Sequence, residues 1–195
     1  RAFLDEFDAH LATLPFLFGG RPSIGDFALF GPLYAHLYRD PASGRLMQQL
    51  APRVAAWVER MRAPAALSGE FVPGDVVPKT LEPILARVFH EFGPVLASTI
   101  ERLASVPLDH ENPVLPRSIG RHSFQLREAR GERAIYPFNV WRWQRAFDHY
   151  RGLVGEARAR ADALLDRVGG RTLMGMPLTR RLARVHNQLV FETEA

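Results

Sequence analysis

Residues 15–27, Pro-Phe-Leu-Phe-Gly-Gly-Arg-Pro-Ser-Ile-Gly-Asp-Phe, give the clearest structural signal in the N-terminal part of this chain. Ser23 stands where a helix N-cap is expected and Asp26 follows three residues later, so each side chain can accept a hydrogen bond from the other residue's backbone N–H. Pro22 and Phe27 flank this pair at the positions of a hydrophobic staple. The stretch predicts a helix that begins at Ile24, and it gives all four residues a structural role.

Helical patterns lie on both sides of this start. Upstream, apolar residues recur at helical spacing from Phe3 to Leu14 with no capping residue ahead of them, so we expect the chain to begin inside a helix and to be part of a longer polypeptide. Downstream, the helix should run from Ile24 to about Tyr38 with a kink at Pro32. Its inward face should consist of apolar residues about one turn apart: Phe27, Phe30, Leu33, Tyr34 and Leu37.

A loop at 40–45 and a second helical stripe complete this region. The stripe restarts at Pro52, which suits the first position of a helix, and it runs through Ala-Pro-Arg-Val-Ala-Ala-Trp-Val-Glu-Arg-Met, residues 51–61. Residues 15–27 followed by residues 51–61 resemble the C-terminal helical domain of the glutathione S-transferases. In that family the same capping box and staple open a helix, and a helix that begins at Pro and carries a central Trp follows. The resemblance covers residues 1 to about 65, and it departs at Gly25, where the family usually has Ala.

The resemblance implies a parent enzyme that transfers glutathione to an electrophile, with this chain as the side that binds the hydrophobic electrophile. The family's thioredoxin-like domain, which holds glutathione and the catalytic Tyr, Ser or Cys, has no counterpart in this sequence. We therefore assign no catalytic residue and no cofactor to this chain, and we expect glutathione as a co-substrate of the parent protein. The resemblance also implies a cytoplasmic homodimer. The alternative is a non-catalytic protein-interaction or scaffold module on the same fold.

The rest of the chain mixes helical and strand patterns. A long helix over 80–105, kinked at Gly93-Pro94, should precede a Pro-rich loop at 107–120. Alternation then predicts a small hairpin over 122–136 that turns at Arg130-Gly131, helices over 138–154 and 157–168, and a short strand over 185–191. We expect a mainly α fold: a glutathione transferase C-terminal-type helical bundle over 1–112, and an extension over 113–195 that packs on it and contains the hairpin and helices.

Composition excludes several classes of site. The chain has 195 residues and no cysteine, which removes disulfides, cysteine-based metal centres and thiol catalysis. The histidines lack the spacing of metal ligands, so we expect no metal. Apolar runs are shorter than the ~18 residues of a membrane span, so we expect no membrane partner.

Basic residues concentrate in 115–151, where 8 of them stand against 3 acidic residues. One interpretation of the Trp-rich part is a core face formed by Trp141, Gln144 and Phe147. The other is an apolar pocket in which an arginine meets an anionic group of a ligand. The candidate substrate-binding residues of that pocket are Tyr136, Trp141, Arg142 and Arg145. A nucleic-acid-binding module is a third interpretation that rests on the charge excess alone, and we do not expect a nucleic-acid partner.

Overall fold

The structure is a computed structural model and describes residues 1–63, 68–107, 109, 111, 113–126 and 128–192. The chain is mainly α-helical and divides into two compact units, Arg1–Leu85 and Ala86–Ala195. Two small antiparallel hairpins lie in the second unit. The division falls between residues 85 and 86, whereas the sequence placed a domain boundary at 112/113. Residue 112 lies outside the described residues, and the domain assignment stays a prediction.

The described residues of the first unit contain the α-helices α1 to α4, joined by shorter turns, and the start of a further helical run. Helix α1 spans Ala2–Leu11, α2 spans Ile24–Leu33, α3 spans Pro41–Leu50 and α4 spans Pro52–Arg62. The helix predicted over 24–38 forms in two parts, because α2 passes into a π-helical turn over Tyr34–Tyr38. Pro32 lies just ahead of that turn and has no N–H to donate to the carbonyl one turn back, which weakens regular α-helical bonding there.

The prediction of a loop over 40–45 was wrong. Helix α3 begins at Pro41, and the Asp40 carboxylate accepts hydrogen bonds from the backbone N–H groups of Ala42 and Ser43 at 3.0 and 3.2 Å. Asp followed by Pro is a helix start as well as a turn signal, because the carboxylate satisfies the free donors and Pro needs none. Helix α4 begins at Pro52, where the stripe was predicted to restart.

Aromatic packing forms the core of the first unit. The rings of Phe7 and Trp57 are both fully buried and meet edge to face, with centroids 5.0 Å apart. Further buried residues from α1, α2, α3 and α4 surround them: Leu11, Leu33, Met47, Val54, Val58 and Met61. Phe27 was expected to face inward, but its side chain is 55% exposed, since the inward direction at the start of α2 is taken by the buried neighbour Asp26.

A continuous helical run links Lys79 to Ala104 across the division. It consists of a 3-10 turn over Lys79–Leu81, α5 over Glu82–Arg87, a π-helical turn over Val88–Phe92 and α6 over Gly93–Ala104. The long helix predicted over 80–105 is therefore interrupted by a π-helical turn directly before Gly93-Pro94. Pro94 cannot donate to the carbonyl of His90, and a wider turn at this point accommodates the missing bond.

Three helices follow the first hairpin in the second unit. Helix α7 spans Pro137–Gly152, α8 spans Gly155–Val168 and α9 spans Arg171–Gly175. The Tyr150 hydroxyl donates to Asp162 Oδ1 at 2.6 Å, and Arg171 pairs with the same oxygen at 2.7 Å. The Tyr150 bond, followed by the Arg171 and Arg158 bonds, lowers the pKa of Asp162 to about 2. One carboxylate therefore ties these three helices together.

Both hairpins differ in detail from the prediction. Strand β1 (Arg121–Leu126) pairs with β2 (Ala129–Ala134), and the register joins Leu126 to Ala129, so Arg130-Gly131 lies inside β2 and is not the turn. Gly131 lies inside β2 opposite Phe124, whose ring covers the position that a Cβ would occupy. The single strand predicted over 185–191 is a second hairpin, β3 (Leu182–Val185) with β4 (Gln188–Phe191). Its turn residues His186 and Asn187 both have positive φ, as a two-residue hairpin turn requires.

Within the described part of the chain, no helix is both long enough and apolar enough to cross a membrane.

Candidate functional site

The capping box at the start of α2 is present, and it uses all of its polar groups. Both oxygens of the buried Asp26 accept hydrogen bonds, one from Leu17 N–H at 3.1 Å and the other from Ser23 N–H at 2.8 Å. The Ser23 hydroxyl donates to Asp26 Oδ2 at 2.7 Å, and Trp57 Nε1 donates to Asp26 Oδ1 at 3.0 Å. With each oxygen engaged by donors of the protein itself, Ser23 and Asp26 hold the helix start and Trp57 in place.

The second unit contains a cavity of about 620 Å³. Three separate segments line it: the Pro-rich loop, the start of α7, and the turn of the second hairpin. Its apolar and aromatic lining consists of Val114, Leu115, Pro116, Tyr136, Phe138 and Leu189. Its polar lining consists of Arg117, Asn139, Arg184, Asn187 and Gln188. A volume in the range of 300–1,000 Å³ is ordinary for small-molecule sites, and so is this mixture of lining residues.

Backbone hydrogen bonds hold the Pro-rich loop against both of its neighbours. Leu115 N–H donates to Leu189 O at 2.8 Å, next to a β-bridge between Val114 and Val190. Ile119 N–H donates to Ile135 O at 3.0 Å, just ahead of the cavity residue Tyr136. The loop is therefore fixed to β4 at one end and to the approach of α7 at the other.

Side chains of α7 hold the second hairpin. The buried Gln144 amide donates to Leu182 O at 3.0 Å and accepts from Leu182 N–H at 2.7 Å, which satisfies both backbone groups at the start of β3. Arg181 forms a two-pronged pair with Asp148 at 2.8 Å and also bonds Glu192 at 2.8 Å. Buried hydrogen bonds of Gln144 and exposed ion pairs of Arg181 thus connect α7 with the second hairpin.

The predicted substrate-binding residues occupy different places around this cavity. Tyr136 lines it. The Arg184 guanidinium carbon lies 5.4 Å from the ring centre of Trp141, and the Arg142 guanidinium carbon lies 5.9 Å from that of Phe138. Trp141 and Arg142 therefore each contact a lining residue. Arg145 is exposed and is not among the lining residues. The binding role of these four residues stays a prediction.

Sequence reasoning missed most of the polar lining. Arg117 belongs to the basic stretch 115–151, so the charge excess was a usable signal for it. Arg184, Asn187 and Gln188 come from a hairpin read as a single strand, and nothing local in the sequence connects them with Tyr136. The core interpretation of α7 was accurate for Gln144 and Phe147, which are buried, while Trp141 is half-buried.

The histidines among the described residues give no candidate metal site. No group of three or more His, Asp or Glu in this part of the chain could hold a metal ion. His122 lies in β1 with Nδ1 3.0 Å from the Ser98 hydroxyl, and burial, together with the nearby Arg133 charge, lowers the pKa of its imidazole. It does not line the cavity.

Comparison with known proteins identifies the first unit. Residues 1–60 match the family model for the glutathione S-transferase, C-terminal domain. No curated protein and no solved structure matches the chain. The match contains the helices α1–α3 and most of α4, including the capping box and the Trp57 to Asp26 hydrogen bond described above. The first 60 of the 195 residues are therefore similar to the glutathione S-transferase C-terminal domain.

Proposed function

We propose that this chain is the substrate side of a glutathione S-transferase-like enzyme that transfers glutathione to a hydrophobic electrophile. The observation that carries the proposal is the family match over residues 1–60. The cavity of the second unit supports it, because Tyr136, Phe138 and Leu189 give it an apolar and aromatic wall. Such a wall binds varied electrophiles by buried area rather than by directed hydrogen bonds.

Glutathione enters this proposal as the co-substrate, held by a part of the parent protein outside these 195 residues. There the thiol loses its proton and the thiolate sulfur attacks the electrophilic carbon. With an aryl chloride, a carbon–sulfur bond forms, the carbon–chlorine bond breaks and chloride leaves. The role of this chain is to bind and orient the electrophile. A homodimer and a cytoplasmic location remain further expectations of the proposal.

The alternative is a non-catalytic interaction module on the same fold. The observation that favours it is apolar exposure at the start of α2, where Ile24 is 89% and Phe27 55% exposed. Two large apolar side chains side by side in solvent suit contact with another protein.

Calorimetric titration distinguishes the two functions. Glutathione and chlorodinitrobenzene are each titrated into the 195-residue chain and into the longer polypeptide expected to contain it, and conjugation by the longer polypeptide is followed by absorbance. The enzyme proposal expects the longer polypeptide to bind glutathione and form the conjugate, and the chain alone to bind only chlorodinitrobenzene. If neither protein binds glutathione, the enzyme proposal is wrong and the interaction module is favoured.

A matched pair of variants tests the place of the electrophile. Tyr136→Ala removes an aromatic side chain from the cavity wall, and we expect the Kd for chlorodinitrobenzene to rise about tenfold, since each tenfold step needs only about 1.4 kcal/mol of lost contact. Phe71→Ala removes an exposed aromatic ring from the first unit and should leave that Kd unchanged. Equal effects of the two substitutions would place the electrophile elsewhere.

A further inference from the structure

The polar lining of the cavity has a single sign of charge. Arg117 and Arg184 contribute two guanidinium groups, and Asn139, Asn187 and Gln188 contribute amides that can donate hydrogen bonds. Among the described residues that line the cavity there is no Asp and no Glu. Helix α7 also begins here, since Phe138 and Asn139 of its first turn line the cavity and its positive end adds to the same field.

Neighbouring arginines of the second unit are neutralised by carboxylates. Arg181 bonds Asp148 and Glu192, and Arg171 bonds Asp162 and Asp166. By contrast, neither Arg117 nor Arg184 has a carboxylate within ion-pair distance among the residues that the structure describes. Both arginines are exposed to solvent, and an anion that contacts both would accept charge-assisted hydrogen bonds from the two guanidinium groups.

Packing restricts the position of one of these cations. The Arg184 guanidinium lies over the Trp141 ring at 5.4 Å. A guanidinium stacked on an aromatic face keeps the N–H donors at its edge available, and it loses less side-chain freedom when those donors bind a planar or tetrahedral oxyanion. Strand β3, which carries Arg184, is itself fixed to α7 through the two hydrogen bonds between Gln144 and Leu182.

We propose that this cavity binds a small aromatic molecule that carries a carboxylate or a phosphate group. Arg117 and Arg184 contact the oxyanion, and the wall of Tyr136, Phe138 and Leu189 contacts the ring. The proposal concerns binding by the second unit alone and requires no glutathione chemistry, so it can fail or succeed independently of the function proposed above.

Four probes that separate the ring from the oxyanion test it by calorimetry on the 195-residue chain. They are phenyl phosphate, benzoate, benzyl alcohol and inorganic phosphate. We expect phenyl phosphate or benzoate to bind at least tenfold more tightly than both benzyl alcohol and inorganic phosphate, and the better of the two identifies the oxyanion. Equal binding of benzyl alcohol would show an apolar pocket without anion selection, equal binding of inorganic phosphate would show a charge patch without an aromatic pocket, and either result overturns the proposal.

Charge-removing variants locate the contacts. Arg117→Met and Arg184→Met should each raise the Kd of the better oxyanion about tenfold or more and leave the Kd of benzyl alcohol unchanged, since a hydrogen-bonded charge pair is replaced by an uncharged chain. Arg130→Met, at an exposed position of β2 outside the cavity, removes the same charge and should change neither value. If all three variants weaken oxyanion binding equally, the net charge of the protein, rather than contact with Arg117 and Arg184, explains the affinity, and the assignment is overturned.

A conservative variant separates the loss of the Arg184 contact from a folding defect at β3. Arg184→Lys keeps the positive charge and loses the planar fork, so its affinity for the oxyanion should fall between those of the wild type and Arg184→Met. Circular dichroism of each variant shows whether the fold is kept. An Arg184→Lys protein that is folded and binds as weakly as a folded Arg184→Met protein still locates the fork at this position, whereas wild-type affinity in both variants contradicts a role for Arg184.

Discussion

Asp26 shows how one buried side chain can connect a local and a distant interaction. Its carboxylate accepts the N-cap hydrogen bonds of Ser23, three residues away, and the indole N–H of Trp57, which belongs to α4. The local bond belongs to the helix start and the distant one positions the aromatic core. Removing the carboxylate therefore affects both the helix and the packing of the unit.

We expect Asp26→Ala to lower the free energy of unfolding by about 3–5 kcal/mol, because several buried donors lose their acceptor at once. Asp40→Ala is the matched control. Asp40 is an exposed N-cap of α3 that accepts two backbone N–H groups, and its loss should cost about 1 kcal/mol. Urea denaturation measures both values, and equal losses for the two variants would contradict the tertiary role of Asp26.

His10 makes the stability of the first unit depend on pH. The imidazole is fully buried, with Nε2 3.2 Å from Phe16 O and Nδ1 2.7 Å from the Thr80 hydroxyl. A carbonyl can only accept, so Nε2 carries the proton and donates to it, and Nδ1 accepts from Thr80. Burial lowers the pKa of His10 below 6.5, with the Phe16 carbonyl and the Asp26 charge acting in the opposite direction.

The sign of the effect follows from proton binding. Below pH 6.5 the His10 imidazole of the unfolded chain binds a proton, while the imidazole of the folded chain is still neutral. Unfolding therefore becomes more favourable as the pH falls toward the lowered pKa of the folded state. The contribution of the neutral His10 to the free energy of unfolding is fully present above pH 6.5. As the pH falls, this contribution decreases by about 1.4 kcal/mol for each pH unit between the unfolded and the folded pKa of His10. We expect His10→Gln to reduce this slope in urea denaturation measured at several pH values, and His36→Gln, at an exposed position, to leave it unchanged.

At the scale of elements, several helices and turns are positioned by close backbone approach. Gly44 lies buried in α3, and a Cβ there would stand 2.3 Å from the carbonyl oxygen of Tyr38. Gly19, with φ of 139°, lies beside the chain at 70–72, where Gly20 N–H donates to Glu70 O at 2.7 Å and Val72 N–H donates to Phe18 O at 2.8 Å. Both sites place two backbones closer together than any side chain would permit.

Gly44→Ala should therefore destabilise the protein by about 2 kcal/mol or more, although alanine is the better helix former, because α3 must move away from the π-helical turn. Gly152→Ala is the matched control. A Cβ at the end of α7 meets nothing within 4 Å, so this change should be neutral or stabilising by about 0.5 kcal/mol. Thermal unfolding compares the two, and a stabilised Gly44→Ala protein would show that the close approach is absent in solution.

At the scale of the whole molecule, each compact unit has a core of its own. One cluster surrounds Phe7 and Trp57, and the other surrounds Leu96, Val140 and Phe147. The family match lies entirely within the first unit, whereas the cavity lies entirely within the second. The family similarity and the proposed anion site are therefore properties of different parts of the chain.

Hydrogen exchange followed by mass spectrometry tests this separation of cores. We expect the Asp26→Ala substitution to accelerate exchange of amides within residues 1–85 and to leave peptides of 86–195 close to their wild-type rates, because the lost hydrogen bonds belong to one cluster only. A uniform acceleration over both units would show instead that the chain opens as one cooperative body.

Features that depend on residues close together in the chain could be predicted from local sequence patterns. The capping box needs only Ser23 and Asp26 one helical turn apart, the restart of α4 needs only Pro52, and the end of α8 needs only Gly169, whose φ of 73° suits glycine. Alternation also located the first hairpin. Its turn was misplaced because the glycine of Arg130-Gly131 signals a turn, whereas Gly131 lies in β2 under the Phe124 ring.

Contacts between groups far apart in the chain, in contrast, depend on how the elements pack. Asp8 of α1 accepts hydrogen bonds from Arg53 and Val54 N–H at 2.7 and 3.3 Å and so caps α4, whose own N-cap residue Ala51 has no side chain for that purpose. In the same way, Arg117 and Arg184 share a cavity although dozens of residues separate them along the chain. Local spacing fixes hydrogen bonds within one turn, whereas these contacts depend on how the helices and hairpins pack, and short patterns carry no record of that packing.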